Sequence, residues 1–209
     1  YMRSQNLFDD KFLEYLENFK FTCDMWAVPE GTPIFPKEPI VTIRGPIIQL
    51  FLIETLVLLT VNHQSLIATK ANRIVRAAQG RAVMEFGARR AHGADASVLG
   101  ARAAYIGGCV GTSCVKAGKD FNIPVSGTMA HSYVTSYGCS VEGEFRAFSD
   151  YIKTHKGESL IMLIDTYDTL KCGVLNAIRA FNDNGIDDSY APGYGVRLDS
   201  GDLAYLSIE

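Results

Sequence analysis

Residues 160–169 read Leu160-Ile161-Met162-Leu163-Ile164-Asp165-Thr166-Tyr167-Asp168-Thr169, and a helical pattern runs from Thr169 to Asn182 before Asn184-Gly185 ends it. A short apolar run, a polar cluster and an amphipathic segment in that order are the signature of a strand–loop–helix unit. The same rhythm recurs on both sides. Arg81–Phe86, Ala104–Gly108, Ile123–Ser126 and Gly195–Leu198 are the other strand candidates, and Glu144–His155 is a second helical pattern. Strands alternating with helices predict an α/β fold with a parallel sheet, open or closed into a (β/α) barrel.

Upstream of Gly80 the pattern differs. Phe8, Phe12, Leu13, Tyr15, Leu16 and Phe19 have the spacing of a short amphipathic helix, and Phe21–Val28 and Ile40–Arg44 read as strands parted by proline-rich turns. Gly45-Pro46 then opens a long helical stretch from Ile47 to about Ala78, with Asn62-His63-Gln64 as a candidate break. The organisation expected is 1–78, part of an α/β sandwich with a long connecting helix, followed by 79–209, a partial (β/α) barrel.

The composition bounds the function. The chain has 209 residues, 47% apolar and 21% charged, with a formal net charge of −3. That is the balance of a soluble globular domain, and no Lys/Arg cluster is dense enough for a nucleic-acid surface. Cys23, Cys109, Cys114, Cys139 and Cys172 are odd in number and form no C-x-x-C pair, so they read as free thiols in a reducing, cytoplasmic setting. Ile47–Val61 is the most apolar stretch, but Gln49 and Glu54 interrupt it and it falls short of the ~20 residues that cross a bilayer. It reads as a buried core helix, and no membrane partner is expected.

Each strand candidate runs into a polar or glycine-bearing cluster. These are residues 86–90, 107–113, 126–131, 165–168 and 197–202. In (β/α) barrels the carboxyl ends of the strands form the catalytic face. Arg89, Arg90 and Arg197 offer forked donors for carboxylate or phosphate, and Gly87, Gly111, Gly127 and Gly201 allow close backbone approach to a ligand. Asp165, Asp168, Asp199 and Asp202 can bind hydroxyls, hold Mg²⁺ or stabilise positive charge. His131 is the one histidine in such a cluster and can act as acid, base or nucleophile. Plainer roles stand beside these: Asp202 as a helix cap, Asp168 and Arg90 as partners of a neighbouring charge, Tyr133, Tyr137 and Tyr167 as packing residues, and His63, His92 and His155 as ordinary polar residues.

The segments Phe86-Gly87-Ala88-Arg89-Arg90-Ala91, Gly127-Thr128-Met129-Ala130-His131-Ser132, Leu163-Ile164-Asp165-Thr166-Tyr167-Asp168-Thr169 and Val196-Arg197-Leu198-Asp199-Ser200-Gly201-Asp202-Leu203 resemble, in this order, the nicotinate phosphoribosyltransferases. Ala27–Thr32 and Leu52-Ile53-Glu54-Thr55 are similar to that family too. The resemblance implies an α/β sandwich beside an incomplete barrel of the type II phosphoribosyltransferase kind, usually in a homodimer. It implies nicotinate and phosphoribosyl pyrophosphate as substrates, Mg²⁺ and ATP as cofactor and co-substrate, and a place in NAD synthesis. His131 matches the histidine that ATP phosphorylates, with Asp165 beside it and the ribose. Arg197 and Asp199 match the pair reaching base and ribose. Phe86 matches the aromatic stacked on the pyridine ring and Arg89 the contact to base or phosphate, with Ser113, Thr128 and Gly201 as further substrate-binding candidates.

The resemblance also implies alternatives. Relatives that use nicotinamide typically place an aspartate where Ser113 stands, so Ser113 favours the carboxylate substrate. A quinolinate enzyme would need more basic residues, and a barrel hydrolase using Asp165 and Asp199 leaves the arginines and His131 without a role. The family continues beyond Tyr1 with an aspartate- and tyrosine-bearing segment, and beyond Leu203 with phosphate-binding glycine loops. The expectation is therefore a central fragment with an open barrel, poorly active alone, or a non-catalytic nicotinate- or nucleotide-binding module.

Overall fold

The computed structural model describes residues Tyr1–Glu209, which divide into two compact units, Tyr1–Ser126 and Gly127–Glu209. The sequence pattern places a boundary at 78/79. In the structure the long helix and the first strand–helix units share one body, because small residues on the two sides let their helices pack closely.

In the first unit, helix α1 (Asp10–Glu17) starts where the Asp9 carboxylate accepts a hydrogen bond from the Phe12 N–H at 2.8 Å. Strands β1 (Asp24–Ala27) and β2 (Val41–Arg44) pair antiparallel, Asp24 opposite Arg44. Helix α2 (Ile47–Ala77) follows from Pro46 and runs unbroken for 31 residues. Two of the three polar residues expected to break it instead face helix α3 (Ala94–Ile106): His63 Nε2 lies 3.3 Å from the Ala96 carbonyl, and Gln64 Oε1 accepts from Arg102 at 3.4 Å. Gly107 ends α3 against α2, where a Cβ would meet the Ala68 carbonyl at 2.7 Å. Arg102 is further tied to Glu30 at 2.5 Å.

The buried-core reading of Ile47–Val61 is corrected here. Only Gln49 and Ala71 of α2 are buried, while Ile47, Phe51, Leu56, Leu58 and Leu59 are exposed. By length and composition alone α2 is also long and apolar enough to cross a membrane. Gln49, which interrupts the apolar run, ties α2 to the segment before β1. Its Oε1 accepts from the Thr22 N–H at 2.9 Å and its Nε2 donates to Thr22 Oγ1 at 3.0 Å. An open groove of about 490 Å³, lined by Ile40, Val41, Ile43, Phe51 and Leu58, lies between β2 and α2.

The unit closes with short strands β3 (Met84–Glu85) and β4 (Gly111–Thr112), which are parallel, and Thr112 bridges in parallel to Val125. Helix α4 (Val115–Phe121) lies between β4 and Val125 in the chain. The expected strand at Ala104–Gly108 is instead the end of α3. Its small apolar residues suit helix packing against α2 as well as a strand, and periodicity over so short a run cannot tell the two apart.

In the second unit, helix α5 (His131–Thr135) leads to α6 (Val141–Thr154), capped by Ser140, whose Oγ accepts from Gly143 N at 3.0 Å. Strands β5 (Leu160–Leu163) and β6 (Tyr194–Arg197) pair in parallel, with Leu163 opposite Arg197. Between them, a π-helical turn (Thr169–Gly173) runs into α7 (Val174–Asp183). Gly173 is required there because a Cβ would overlap the Ile164 carbonyl. Phe148, Ile152, Leu160, Met162, Leu163, Ala177 and Ala180 form a core closed to solvent. Glu144 is buried within it: its Oε2 accepts from Asn176 Nδ2 at 2.9 Å, and the same amide donates to the Val141 carbonyl, joining α6 to α7. Burial pushes the Glu144 carboxyl above its ordinary value, against the opposing hydrogen bonds from Asn176 and Cys172. The chain ends with helix α8 (Leu203–Ile208).

Candidate active site

The parallel pairing of β5 and β6 decides the geometry. With Leu163 opposite Arg197, Asp165 and Asp199 each lie two residues past a paired strand end, on the same edge. The Asp199 backbone N–H donates to Asp165 Oδ2 at 3.2 Å, and the Ser200 hydroxyl donates to the same oxygen at 2.5 Å. The other oxygen, Oδ1, lies 3.1 Å from His131 Nε2 at the start of α5. The Asp165 side chain is 2% exposed and that of His131 43%.

Burial raises the Asp165 carboxyl, but the hydrogen bonds from Ser200 and His131, the charge of His131 and the Asp199 N–H together hold it below its ordinary value. Asp165 is therefore ionised at neutral pH and can only accept. It follows that Nε2 of His131 donates to it, so whenever the ring is neutral its lone pair sits on Nδ1. An imidazole held in one tautomer by a buried carboxylate is equipped to attack an electrophile and to have its resulting positive charge stabilised.

Arg197 completes this edge. Its guanidinium donates to Asp199 Oδ1 at 2.7 Å, to Thr128 Oγ1 at 3.2 Å and to the Met129 carbonyl at 3.5 Å. Five of the sequence candidates, Thr128, His131, Asp165, Arg197 and Asp199, are thus joined by direct hydrogen bonds or through one residue. Gly201 follows at φ +79°, a turn that only glycine adopts freely, with Leu206 close to where a Cβ would sit.

Phe86, Arg89 and Ser113 belong to the first unit, past the ends of β3 and β4. Phe86 is half-buried, and Arg89 and Arg90 lie on a 3₁₀ turn, Ala88–Arg90, with Arg90 exposed. Glu85, which the sequence did not single out, organises this edge. Its carboxylate accepts from the Gly87 N–H at 2.5 Å and from the buried Thr112 hydroxyl at 2.6 Å, while its carbonyl accepts from Ser113 N at 3.0 Å. Thr112 Oγ1 in turn accepts from Cys114 N at 2.9 Å. The sequence signal was available: an acidic residue at the last position of a strand otherwise bound for the interior.

Several candidates serve the fold instead. Asp202 caps α8 through the Tyr205 N–H, and Asp168 caps the π-helical turn through the Lys171 N–H at 2.9 Å. Gly111 is held by packing, since a Cβ would meet Pro124 and Met84. Tyr133 packs edge-on against Tyr137 and Tyr151, and His155 stacks on Tyr151. All five cysteines are free. No group of three or more His, Cys, Asp or Glu side chains converges as a ready-made metal site.

Paired His–Asp and Arg–Asp contacts thus gather at the carboxyl ends of the parallel strands β5 and β6 in an α/β fold. Residues 1–62 match the nicotinate phosphoribosyltransferase N-terminal domain profile and residues 81–207 the nicotinate phosphoribosyltransferase family profile, so the chain belongs to that family. It is similar to the nicotinate phosphoribosyltransferase of Bacillus subtilis (strain 168), 47% identical over 225 residues, covering 95% of this chain and 44% of that protein. It is also similar to nicotinate phosphoribosyltransferase pncB2 of Mycobacterium tuberculosis, 45% identical over 207 residues, covering 99% of this chain and 42% of that one. Among solved structures, human nicotinic acid phosphoribosyltransferase superposes with a TM-score of 0.80 at 30% identity, over 94% of this chain and 47% of the human one. The chain thus spans a little under half the length of the curated relatives it matches.

Proposed function

We propose that this chain supplies part of the active site of a nicotinate phosphoribosyltransferase, which joins nicotinate to the ribose of phosphoribosyl pyrophosphate and releases pyrophosphate. The observation that carries the reading is the His131–Asp165 pair, anchored by residues 199–200, within a chain of this family. In the reaction the pyridine nitrogen attacks the anomeric carbon as the bond to pyrophosphate breaks. Positive charge grows on the sugar, where Asp199 and Asp165 are suited to stabilise it. Arg197 is suited to hold an anionic group of base or phosphate, with Thr128 and Gly201 as further substrate contacts in the second unit, and Phe86, Arg89 and Ser113 are proposed as substrate contacts of the first on the family resemblance alone.

ATP use is part of the same proposal, and the His131–Asp165 contact supports it. Nδ1 of His131 attacks the γ-phosphorus of ATP, the bond to the ADP oxygen breaks and ADP leaves. The Nε2–H keeps its hydrogen bond to Asp165, whose charge stabilises the phospho-imidazolium, and water later releases phosphate. Mg²⁺ would enter with the substrate phosphates, which supply most of its oxygen ligands. Asp199 Oδ2 would be suited to join it, since Asp199 Oδ1 accepts from Arg197 and both oxygens of Asp165 are engaged. A homodimer acting in the cytoplasm, within NAD synthesis, completes the proposal.

The test is label transfer from γ-labelled ATP, run beside His131→Ala. Acid-labile, base-stable label that is lost in the variant supports the reading. A folded chain that binds nicotinate and takes no label refutes the phosphohistidine step and leaves a binding module.

A further inference from the structure

We infer that Ser200 is a positioning residue that fixes the tautomer of His131 through Asp165, a role that rests on the phosphohistidine reading above. Ser200 is exposed and belongs to no buried cluster, so the fold has no packing use for it. Its hydroxyl nevertheless makes the shortest contact to Asp165, 2.5 Å to Oδ2. The Asp199 N–H supplies a second donor to that oxygen at 3.2 Å. Two donors on Oδ2 fix the rotation of the carboxylate and leave Oδ1 facing His131. The His131 side chain is 43% exposed, so packing does little to hold the ring, and its bond to Asp165 must do so. The direction of the ring and the site of its proton therefore depend on how firmly Asp165 is set.

Without the hydroxyl, Oδ2 keeps a single, longer hydrogen bond. The carboxylate can then swing, and His131 samples both tautomers, so Nδ1 carries a lone pair for part of the time only. Serine suits the position because its short side chain reaches Asp165 from the residue following Asp199. Threonine keeps the hydroxyl.

The experiment compares wild type, Ser200→Ala and Ser200→Thr. Long-range ¹H–¹⁵N correlation spectra read the His131 tautomer in the ligand-free chain, and γ-labelled ATP reads the rate of phosphoryl uptake. We expect one Nε2–H tautomer in wild type and in Ser200→Thr, and a mixture in Ser200→Ala. Uptake should slow about tenfold in Ser200→Ala and stay within about threefold in Ser200→Thr, the range for loss or retention of a charge-assisted hydrogen bond. The melting temperature of Ser200→Ala should fall by only a few degrees, so that all three proteins remain folded at the assay temperature. An unchanged tautomer in Ser200→Ala overturns the inference, as does a mixture in Ser200→Thr equal to that in Ser200→Ala. If the tautomer shifts but wild type takes no label, the positioning role stands and the phosphohistidine reading fails.

Discussion

Replacing Asp165 by asparagine should reverse the proton on His131. The native carboxylate accepts from Ser200, from the Asp199 N–H and from His131. An amide of the same shape offers one oxygen and one NH₂ group. Ser200 and the Asp199 N–H both donate to one side, so the amide oxygen stays there and the NH₂ turns to His131. Nε2 must then accept, the ring proton moves to Nδ1, and the nucleophilic lone pair is lost. Phosphoryl uptake should fall by roughly 10³–10⁴-fold, the scale seen when an orienting aspartate is changed to asparagine in a catalytic triad. Folding stability should fall by about 1–3 kcal/mol, the range for breaking a buried, charge-assisted hydrogen-bond set.

The pH dependence has a definite sign. Burial raises the Asp165 carboxyl, its hydrogen bonds lower it by more than that, and the net value lies below the ordinary one. Its stabilisation is thus full above about pH 3.9 and is lost as pH falls through the lower folded value. Urea titrations should find the gap between wild type and Asp165→Asn shrinking as pH falls below about 4. Phosphoryl uptake equal to wild type would refute the tautomer argument. A gap that keeps its size through the acid range would refute the electrostatic one.

Asn176→Ala strips a donor from the buried Glu144 and should cost about 1–3 kcal/mol at neutral pH. Because burial holds Glu144 above its ordinary value, the penalty of its charge appears as pH rises past about 4.5, so urea melts should show a smaller loss at pH 4 than at pH 7. Gly173→Ala places a methyl group into the Ile164 carbonyl and should destabilise by at least about 1–3 kcal/mol, read by thermal melting. Phe148→Ala empties a site closed to solvent and should cost about 3–5 kcal/mol; a loss under about 1 kcal/mol would mean that the α6–α7 core is not formed as described.

Much of the layout of the candidate site was legible in the sequence. The apolar run Leu160–Ile164, followed by a polar cluster and a helical pattern, reads as a short strand with Asp165 at its end, and Gly195–Leu198 places Arg197 and Asp199 in the same way. The region between Ala94 and Gly111 was not legible. Alanine and glycine there carry no clear period, and whether they form a strand or a helix is decided by α2 lying alongside. The polar triplet Asn62-His63-Gln64 misled for a related reason: its partners, Ala96 and Arg102, are more than 30 residues away.

The sequence by itself determined which residue types stand at the strand ends, since a strand's length and its polar terminus are written in adjacent residues. Only the tertiary structure decided which of them meet. The parallel register of β5 with β6 brings Asp199 and Ser200 onto Asp165, and the start of α5 brings His131 onto its other oxygen. Those contacts span 34 and 35 positions in the chain, and hydrogen bonds of that range arise from strand pairing and helix packing, which no local stretch encodes.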